Sequence, residues 1–183
     1  TTLDEALTTS HSVTLTGLVP NWSDYRFQAK SKDAAGNEAT AIPAGWRRGY
    51  RAPDFTLENL DGDEVTLSDF RGKLVMLNFW FVACVPCAAE MPHIQAVSDN
   101  WSADELAILG VNQIDNADTI RTFMDTEELT FPALLDSVGA VHDNYSVTQV
   151  PTTFFIDSEG IIQKIQLGPF TSQEELESVL DSL

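Results

Sequence analysis

Basic residues, cysteines and long apolar runs are all scarce in this sequence. Its 183 residues include ten Lys and Arg against 28 Asp and Glu, which gives a net charge of −18. So acidic a surface repels nucleic acid and anionic lipid, and we expect no nucleic-acid partner. No run of about 18 apolar residues occurs, and neither does a signal peptide, so no membrane-spanning segment is predicted. The chain begins at Thr1 without methionine, as a processed or truncated piece of a longer protein would.

Cysteine is limited to Cys84 and Cys87, and the three histidines are scattered along the chain. A zinc site needs two further ligands that this pattern does not supply, so no metal is predicted. A purely structural disulfide that closes a loop of about four residues would stabilise the fold by only about 2 kcal/mol, through the lost entropy of the unfolded chain. A chain of this length buries an adequate core without it. Redox chemistry is therefore the favoured interpretation, with a structural disulfide and a pair of inert core thiols as alternatives.

The cysteine pair directly follows an apolar run. Residues 74–81 are interrupted only by Asn78, which is typical of a strand buried on both faces. Residues after Cys87 favour a helix, and Pro86 suits its first turn. Because a helix N-terminus presents free N–H groups and partial positive charge, it stabilises a thiolate. We expect Cys84 to be the exposed nucleophile with a lowered pKa and Cys87 the more buried resolving thiol.

The chain divides into a short N-terminal part and a larger acidic domain. Residues 1–51 carry six Lys and Arg against five Asp and Glu, and residues 52–183 carry four against 23. Residues 1–45 alternate as β-strands and resemble part of a fibronectin type III domain through the Leu18-x-Pro20 corner, the strand at Tyr25 and the turn at 33–37. Only three of about seven strands are visible. Residues 46–51 are a basic linker that either docks on the acidic domain or stays solvated.

Residues 52–183 are expected to form an α/β domain with a mixed sheet and helices on both faces. Strands are predicted at 54–60 and 64–67, at the apolar run, at 106–112, and at 152–157 and 161–165, with a short edge-like segment at 131–135. Helices are predicted from Cys87 to about Trp101 with a kink at Pro92, at 117–126, at 138–145, and from about Gln173 after a capping box.

Several motifs in order resemble the thioredoxin superfamily, and more narrowly its TlpA/ResA-like thiol–disulfide oxidoreductases of the AhpC/TSA–redoxin type. The matching stretches are 52–57, 72–80, Cys84-Val85-Pro86-Cys87 with Glu90-Met91-Pro92, and 150–157. The resemblance implies a thioredoxin-like fold and a cis Val150–Pro151 bond beside the sulfurs. It makes Cys84, Cys87 and Pro151 catalytic, and it places client binding at Val150, Trp80, Val85 and Pro86.

The sequence departs from relatives around the cysteines. Ala83 stands where tryptophan is common, and Ala88 where a basic residue is frequent. Asn78 replaces the buried acid of thioredoxin, so no carboxylate is expected beneath the pair as a proton acceptor. Glu90 is expected to cap the helix or face solvent, and His93 to be structural or exposed.

The resemblance implies a reductase of disulfides in extracytoplasmic client proteins. Its redox centre would be the Cys84–Cys87 disulfide, with no other cofactor. An upstream thiol donor, either soluble or membrane-bound, would supply electrons. A peroxiredoxin-type peroxidase is an alternative, although Phe81 stands where such enzymes place threonine. A non-enzymatic surface module with a structural disulfide, or a copper-delivery protein, remain further alternatives.

Overall fold

The computed structural model describes residues 30–32, 38–40 and 44–183 of the chain. Within the first two ranges, β1 (Lys30–Lys32) pairs with β2 (Glu38–Thr40) as an antiparallel hairpin. Apart from these six residues and residues 44–45, the predicted fibronectin-like segment at 1–45 lies outside the described residues. No helix in the described part of the chain is long and apolar enough to cross a membrane.

Residues 44–51 contact the acidic domain through backbone hydrogen bonds. Gly49 N–H donates to the Ile162 carbonyl at 2.7 Å, and Ala44 and Ile161 each form a bridge with Arg51. The Arg51 guanidinium donates to the carbonyl oxygen of Glu159 at 2.9 Å. This segment therefore lies along the turn that precedes the last strand.

A seven-stranded mixed sheet forms the centre of the domain, with strand order β4-β3-β7-β6-β5-β8-β9. β5, β6 and β7 are parallel, and the other strands are antiparallel to their neighbours. The strands are β3 (Thr56–Asn59), β4 (Glu64–Thr66), β5 (Leu74–Trp80), β6 (Leu106–Asn112), β7 (Ala133–Leu135), β8 (Thr152–Ile156) and β9 (Ile162–Leu167). A 3₁₀ turn at Leu67–Phe70 follows β4. The predicted mixed α/β fold is confirmed.

Alternation along β5 divides its side chains between two cores. Met76 and Trp80 lie in the core on one face, while Leu77 and Phe79 lie in the core on the other. Successive side chains of a strand point to opposite faces, so an almost continuous apolar run is what a strand covered on both sides requires. β5 is therefore the strand that both layers of the domain share.

Three helices cover one face of the sheet, and a short helix covers the other. α1, α2 and α4 contribute buried residues to the Met76 core, whereas α3 contributes Val141 to the Phe79 core. The helices are α1 (Val85–Asn100), α2 (Ala117–Thr126), α3 (Ala140–Asn144) and α4 (Gln173–Leu180). One half of the predicted capping box is present, because the Ser172 hydroxyl accepts from Glu175 N–H at 3.2 Å, while the Glu175 carboxylate accepts from Thr171 N–H at 2.9 Å and not from that of Ser172.

The structure corrects the position of one predicted strand in the sheet and the start of another. The segment at 131–135 is not at an edge, because β7 lies between β3 and β6 and pairs with both. The first strand of the domain, predicted to begin at residue 54, begins two residues later in the structure, at Thr56. Asp54 Oδ1 accepts from the N–H groups of Phe55 and Ser68, at 3.1 and 3.0 Å, and so ties the strand entry to the 3₁₀ turn.

Candidate active site

Cys84 and Cys87 are joined by a disulfide at the start of α1. Cys84 is the N-cap residue, and its Sγ accepts from Cys87 N–H at 3.1 Å. Pro86, the second helical residue, costs no hydrogen bond there. The first turn of α1 contains no acidic residue, so no carboxylate there neutralises the partial positive charge at the helix N-terminus. A thiolate on Cys84 would thus sit where an N–H group already points.

The two sulfurs differ in accessibility, but less than the sequence suggested. Cys87 is completely buried, and Cys84 is only 6% exposed. The prediction that Cys84 is the outer member of the pair is confirmed. The prediction that it is exposed is wrong for the disulfide form, because both sulfurs belong to the core beneath α1.

The loop before β8 lies against the disulfide. The Val150–Pro151 peptide bond is cis, as the resemblance implied, and the Val150 carbonyl oxygen lies 3.9 Å from Cys84 Sγ. On its other side this loop is held to the end of β9, because Gly168 N–H donates to the Pro151 carbonyl at 2.9 Å. Pro151 is buried, and Val150 is half-buried. The catalytic candidates Cys84, Cys87 and Pro151 are therefore brought together.

Three of the four predicted client-binding residues lie at the surface near the disulfide. Val85 is 79% exposed, Pro86 is exposed and Val150 is half-buried. Trp80 is completely buried, with its ring 5.4 Å from that of Phe123, and its assignment to a client surface is wrong. The cause is that β5 is covered on both faces, and alternation along the strand places Trp80 on the face that packs beneath α1.

Glu90 is buried beneath α1 and does not face solvent, so that prediction is also wrong. Its Oε1 accepts from Asn78 Nδ2 at 2.9 Å, and its Oε2 accepts from Phe170 N–H at 3.0 Å. Burial raises the pKa of Glu90 to about 7, although both hydrogen bonds favour the ionised form. A carboxyl group is therefore buried on α1, three residues after Cys87, and its pKa of about 7 lies near neutral pH.

Asn78 connects Glu90 to the strand that follows the cis-proline. Asn78 Nδ2 also donates to Thr153 Oγ1 at 2.9 Å, while Asn78 Oδ1 has no hydrogen-bond partner among the described residues. The absence of an acid at position 78 is thus compensated by an acid on the helix. The available signal was spacing: Glu90 is three residues after Cys87, hence on the same face of α1.

A second carboxylate, which sequence reasoning missed, holds the loop before Cys84. Asp115 Oδ2 accepts from Val82 N–H at 2.7 Å and from Asn112 Nδ2 at 2.9 Å. Asn112 in turn accepts the N–H groups of Ile114 and Asp115, each at 3.0 Å. The connection after β6 is therefore tied to the connection after β5. No single motif marks this contact, because its partners are 33 residues apart.

Nothing in the described part of the chain forms a cluster of three or more His, Cys, Asp or Glu side chains fit to hold a metal. The remaining sequence candidate, His93, is half-buried on α1. The groups that the structure brings together here are the disulfide, the cis-proline loop and the buried carboxyl of Glu90.

Comparisons with known proteins agree with this site. The AhpC/TSA family model matches residues 48–165. The thioredoxin-like protein YneN of Bacillus subtilis is 41% identical over 140 residues, which are 75% of this chain and 81% of YneN. The thiol–disulfide oxidoreductase ResA of Geobacillus kaustophilus is 38% identical over 146 residues, covering 80% and 81% of the two chains.

A solved structure shows the same architecture. StoA from Bacillus subtilis superposes with a TM-score of 0.61 at 29% identity, covering 69% of this chain and 95% of StoA. Sequence relatives, sheet order and the disulfide at the start of α1 thus lead to one conclusion. The protein is a thiol–disulfide oxidoreductase of thioredoxin-like fold, and the chain belongs to the AhpC/TSA family.

Proposed function

We propose that this protein reduces disulfides in client proteins outside the cytoplasm, with Cys84 as the attacking thiol. The observation that carries the proposal is the placement of Cys84 at the N-cap of α1, against the Val150 carbonyl, with a buried carboxyl below. ResA carries thiol–disulfide oxidoreductase in its name, which supports this class of reaction.

The first step is attack of the Cys84 thiolate on a client disulfide. A bond forms between Cys84 Sγ and one client sulfur, the client disulfide breaks, and the other client sulfur leaves as a thiolate that takes a proton from water. The Cys87 N–H that now lies 3.1 Å from Cys84 Sγ would stabilise the attacking thiolate. Val85, Pro86 and the Val150 backbone would contact the client, and Pro151 would shape the loop beside it.

The second step is resolution by Cys87. Its thiolate attacks Cys84 Sγ, the mixed disulfide breaks, and the reduced client leaves while the Cys84–Cys87 bond re-forms. Two electrons pass from the dithiol to the client. Cys87 must lose a proton in a completely buried place, and Glu90, on the same face of α1 with a pKa of about 7, is the group that would accept it.

An upstream thiol donor returns the disulfide to the dithiol in this scheme, and that donor is another protein. An extracytoplasmic location rests on the family resemblance. The N-terminal residues 1–45 would serve as an adhesive or spacing segment of fibronectin type III character, with residues 46–51 joining them to residues 52–183. No catalytic residue is proposed before Ala52.

The decisive experiment is to trap the mixed disulfide. Cys87→Ser removes the resolving thiol, so the reduced variant should accumulate a covalent adduct with a disulfide-containing protein. The adduct is detected by mass spectrometry and must disappear with dithiothreitol. Cys84→Ser is the matched control and should form none under the same conditions. If the Cys87→Ser variant accumulates no adduct with any disulfide offered, the proposed scheme is wrong.

Direction of electron flow is tested by the reduction potential of the Cys84–Cys87 pair in the otherwise unchanged protein. We expect a value near that of thioredoxin, about −270 mV, as a reductase requires. A value near −120 mV would instead indicate an oxidant. Rapid peroxide consumption by the reduced protein would favour a peroxidase over a disulfide reductase.

A further inference from the structure

Exposed large apolar side chains are concentrated around the disulfide. The described residues contain six of them, and Val85, Ile114, Val138 and Leu167 are 79%, 68%, 87% and 63% exposed. Each follows or ends a different strand of the sheet. Trp46 and Leu183, the other two, lie in the segment before β3 and at the last residue of the chain. Exposed apolar side chains scattered singly need no explanation, but a group around a reactive bond does.

The sheet topology places these four residues in a row. β5, β6 and β7 are parallel, and β8 begins and β9 ends beside the end of β5. We call this the disulfide end of the sheet. In the order β7, β6, β5, β8, β9, the row reads Val138, Ile114, Val85 and Leu167, with the cis-proline before β8. Four strand intervals span about 19 Å.

Charge at the disulfide end is of one sign. The connections at 81–92, 113–119, 136–151 and 168–172 contain no Lys or Arg. They do contain Asp118 and Asp143, both exposed, and the half-buried Asp115. The seven Lys and Arg within residues 44–183 lie elsewhere, at 47, 48, 51, 71, 73, 121 and 164. Arg71 and Lys73 precede β5, at the opposite end of the sheet.

Two contacts keep this surface in place. Asp115 binds Val82 N–H, so the connection that carries Ile114 is attached to the one that carries the cysteines. Gly168 N–H binds the Pro151 carbonyl, so the residue after Leu167 is attached to the loop beside Cys84. Preformed surfaces lose less conformational entropy on binding than mobile ones.

We propose that the disulfide end binds an extended client segment that carries apolar side chains on both sides of its cystine and at least one positive charge. This inference rests on the proposed function and names the class of client. The apolar row fits side chains flanking the reacting cystine, and the acidic connections attract cations and repel an acidic segment. A second copy of this acidic chain, or an anionic membrane, fits this surface poorly for the same electrostatic reason.

Three cyclic peptides of equal length, each closed by one disulfide, test the inference. One has Leu and Arg flanking the cystine, the second Leu and Glu, and the third Ser and Arg. The reduced full chain should reduce the Leu/Arg peptide about tenfold faster than either other peptide, which corresponds to about 1.4 kcal/mol in the transition state. Rates are measured by acid quench and chromatography, with hydroxyethyl disulfide as a small uncharged reference.

Salt separates the two components of the preference. Raising ionic strength from about 0.01 M to about 1 M shortens the Debye length from about 30 Å to about 3 Å. The Arg-over-Glu preference should therefore collapse, while the Leu-over-Ser preference should persist or grow. A preference for Arg that salt does not change would contradict the electrostatic part.

Matched variants locate the effect. Val138→Ser and Leu167→Ser should each lower the Leu-over-Ser rate ratio roughly two- to fivefold, as loss of partly buried apolar area predicts. Trp46→Ser, at an exposed apolar residue outside the row, should leave that ratio unchanged. Asp118→Asn should lower the Arg-over-Glu ratio, whereas Asp125→Asn, seven residues along α2 and thus about 10 Å away, should lower it less at physiological salt, where the Debye length is about 8 Å.

The outcomes separate this inference from the proposed function. Equal rates for all three peptides, with hydroxyethyl disulfide still reduced, overturn the docking surface alone. No reduction of any disulfide overturns both. Self-association by sedimentation, or binding to anionic vesicles, that is weakened by Val138→Ser assigns the row to a second copy or a membrane and overturns the client interpretation.

Discussion

Two carboxyl groups are buried on opposite faces of the sheet, and they are held in different ways. Asp136 accepts three hydrogen bonds, from the N–H groups of Val141 and His142 at 3.3 and 2.9 Å and from His142 Nδ1 at 2.8 Å. Glu90 accepts two, from Asn78 and Phe170. Both side chains are completely buried.

The difference lies in what surrounds each carboxylate. Asp136 binds two N–H groups of the first turn of α3 and the ring of His142, so three hydrogen-bond partners face its carboxylate. Glu90 has no ion-pair partner among the described residues, and burial raises its pKa to about 7. The first arrangement anchors a short helix. The arrangement around Glu90 leaves a carboxyl that binds and releases a proton near neutral pH, on the face of the sheet that carries the cysteines.

Removing Asp136 should have the largest effect on stability. Asp136→Ala leaves two backbone N–H groups and the His142 ring without an acceptor, so we expect the free energy of unfolding to fall by about 3–5 kcal/mol. Urea unfolding of the oxidised protein measures it. Asp136→Asn keeps one oxygen acceptor and should cost less, which covers the case in which the alanine variant does not fold.

The same variant should leave the redox chemistry nearly unchanged. Asp136 belongs to the face opposite α1, so the reduction potential of the cysteine pair should move by less than about 30 mV, or 1.4 kcal/mol. A loss of stability below about 1 kcal/mol in Asp136→Ala, or a larger change of potential in any folded Asp136 variant, would remove the distinction between the two carboxyl groups.

Glu90 should instead make stability depend on pH. Below about pH 4.5 the Glu90 carboxyl is protonated in both the folded and the unfolded state, so it does not make the free energy of unfolding depend on pH. Between about 4.5 and 7 the unfolded chain releases the proton that the folded protein keeps, so stability falls as pH rises. The total loss is about 3 kcal/mol, constant above about pH 7. Glu90→Gln removes this titration. Between pH 4 and 8 the free energy of unfolding of the variant should therefore rise relative to that of the wild type by about 3 kcal/mol.

Urea unfolding of the oxidised protein at several pH values checks this, with the difference between the two proteins as the readout. Asp125→Asn, an exposed carboxylate on α2, is the control and should change stability by less than about 0.5 kcal/mol. A difference between Glu90→Gln and the wild type that is independent of pH would mean that the Glu90 pKa is not raised. Slower resolution of the mixed disulfide by Glu90→Gln, about 100-fold, would separately support proton transfer from Cys87.

The comparison also shows where sequence reasoning succeeds and where it stops. The apolar run of β5, the cysteine spacing and the capping box of α4 are local patterns, and each led to the correct element. The burial of Glu90 is not local. Its hydrogen-bond donors are 12 and 80 residues away, so spacing could place Glu90 on the face of α1 that carries Cys87 but could not supply the partners that hold an acid there. Trp80 is a different case: it lies in the apolar run that already predicted a strand covered on both faces, and its assignment to the client surface came from the family resemblance instead.

Asp115 extends the comparison to a carboxylate that is only half-buried, and it should have the smallest effect. Asp115→Ala removes the acceptor of Val82 N–H, so the free energy of unfolding should fall by about 1–2 kcal/mol. Asp115→Asn retains an oxygen that can accept from Val82 N–H, so its free energy of unfolding should fall by about half as much. Because Val82 is two residues before Cys84, the alanine variant should also change the rate at which iodoacetamide alkylates the reduced protein, and the asparagine variant less so. Equal alkylation rates in wild type and Asp115→Ala would show that this contact stabilises the loop without positioning the thiol.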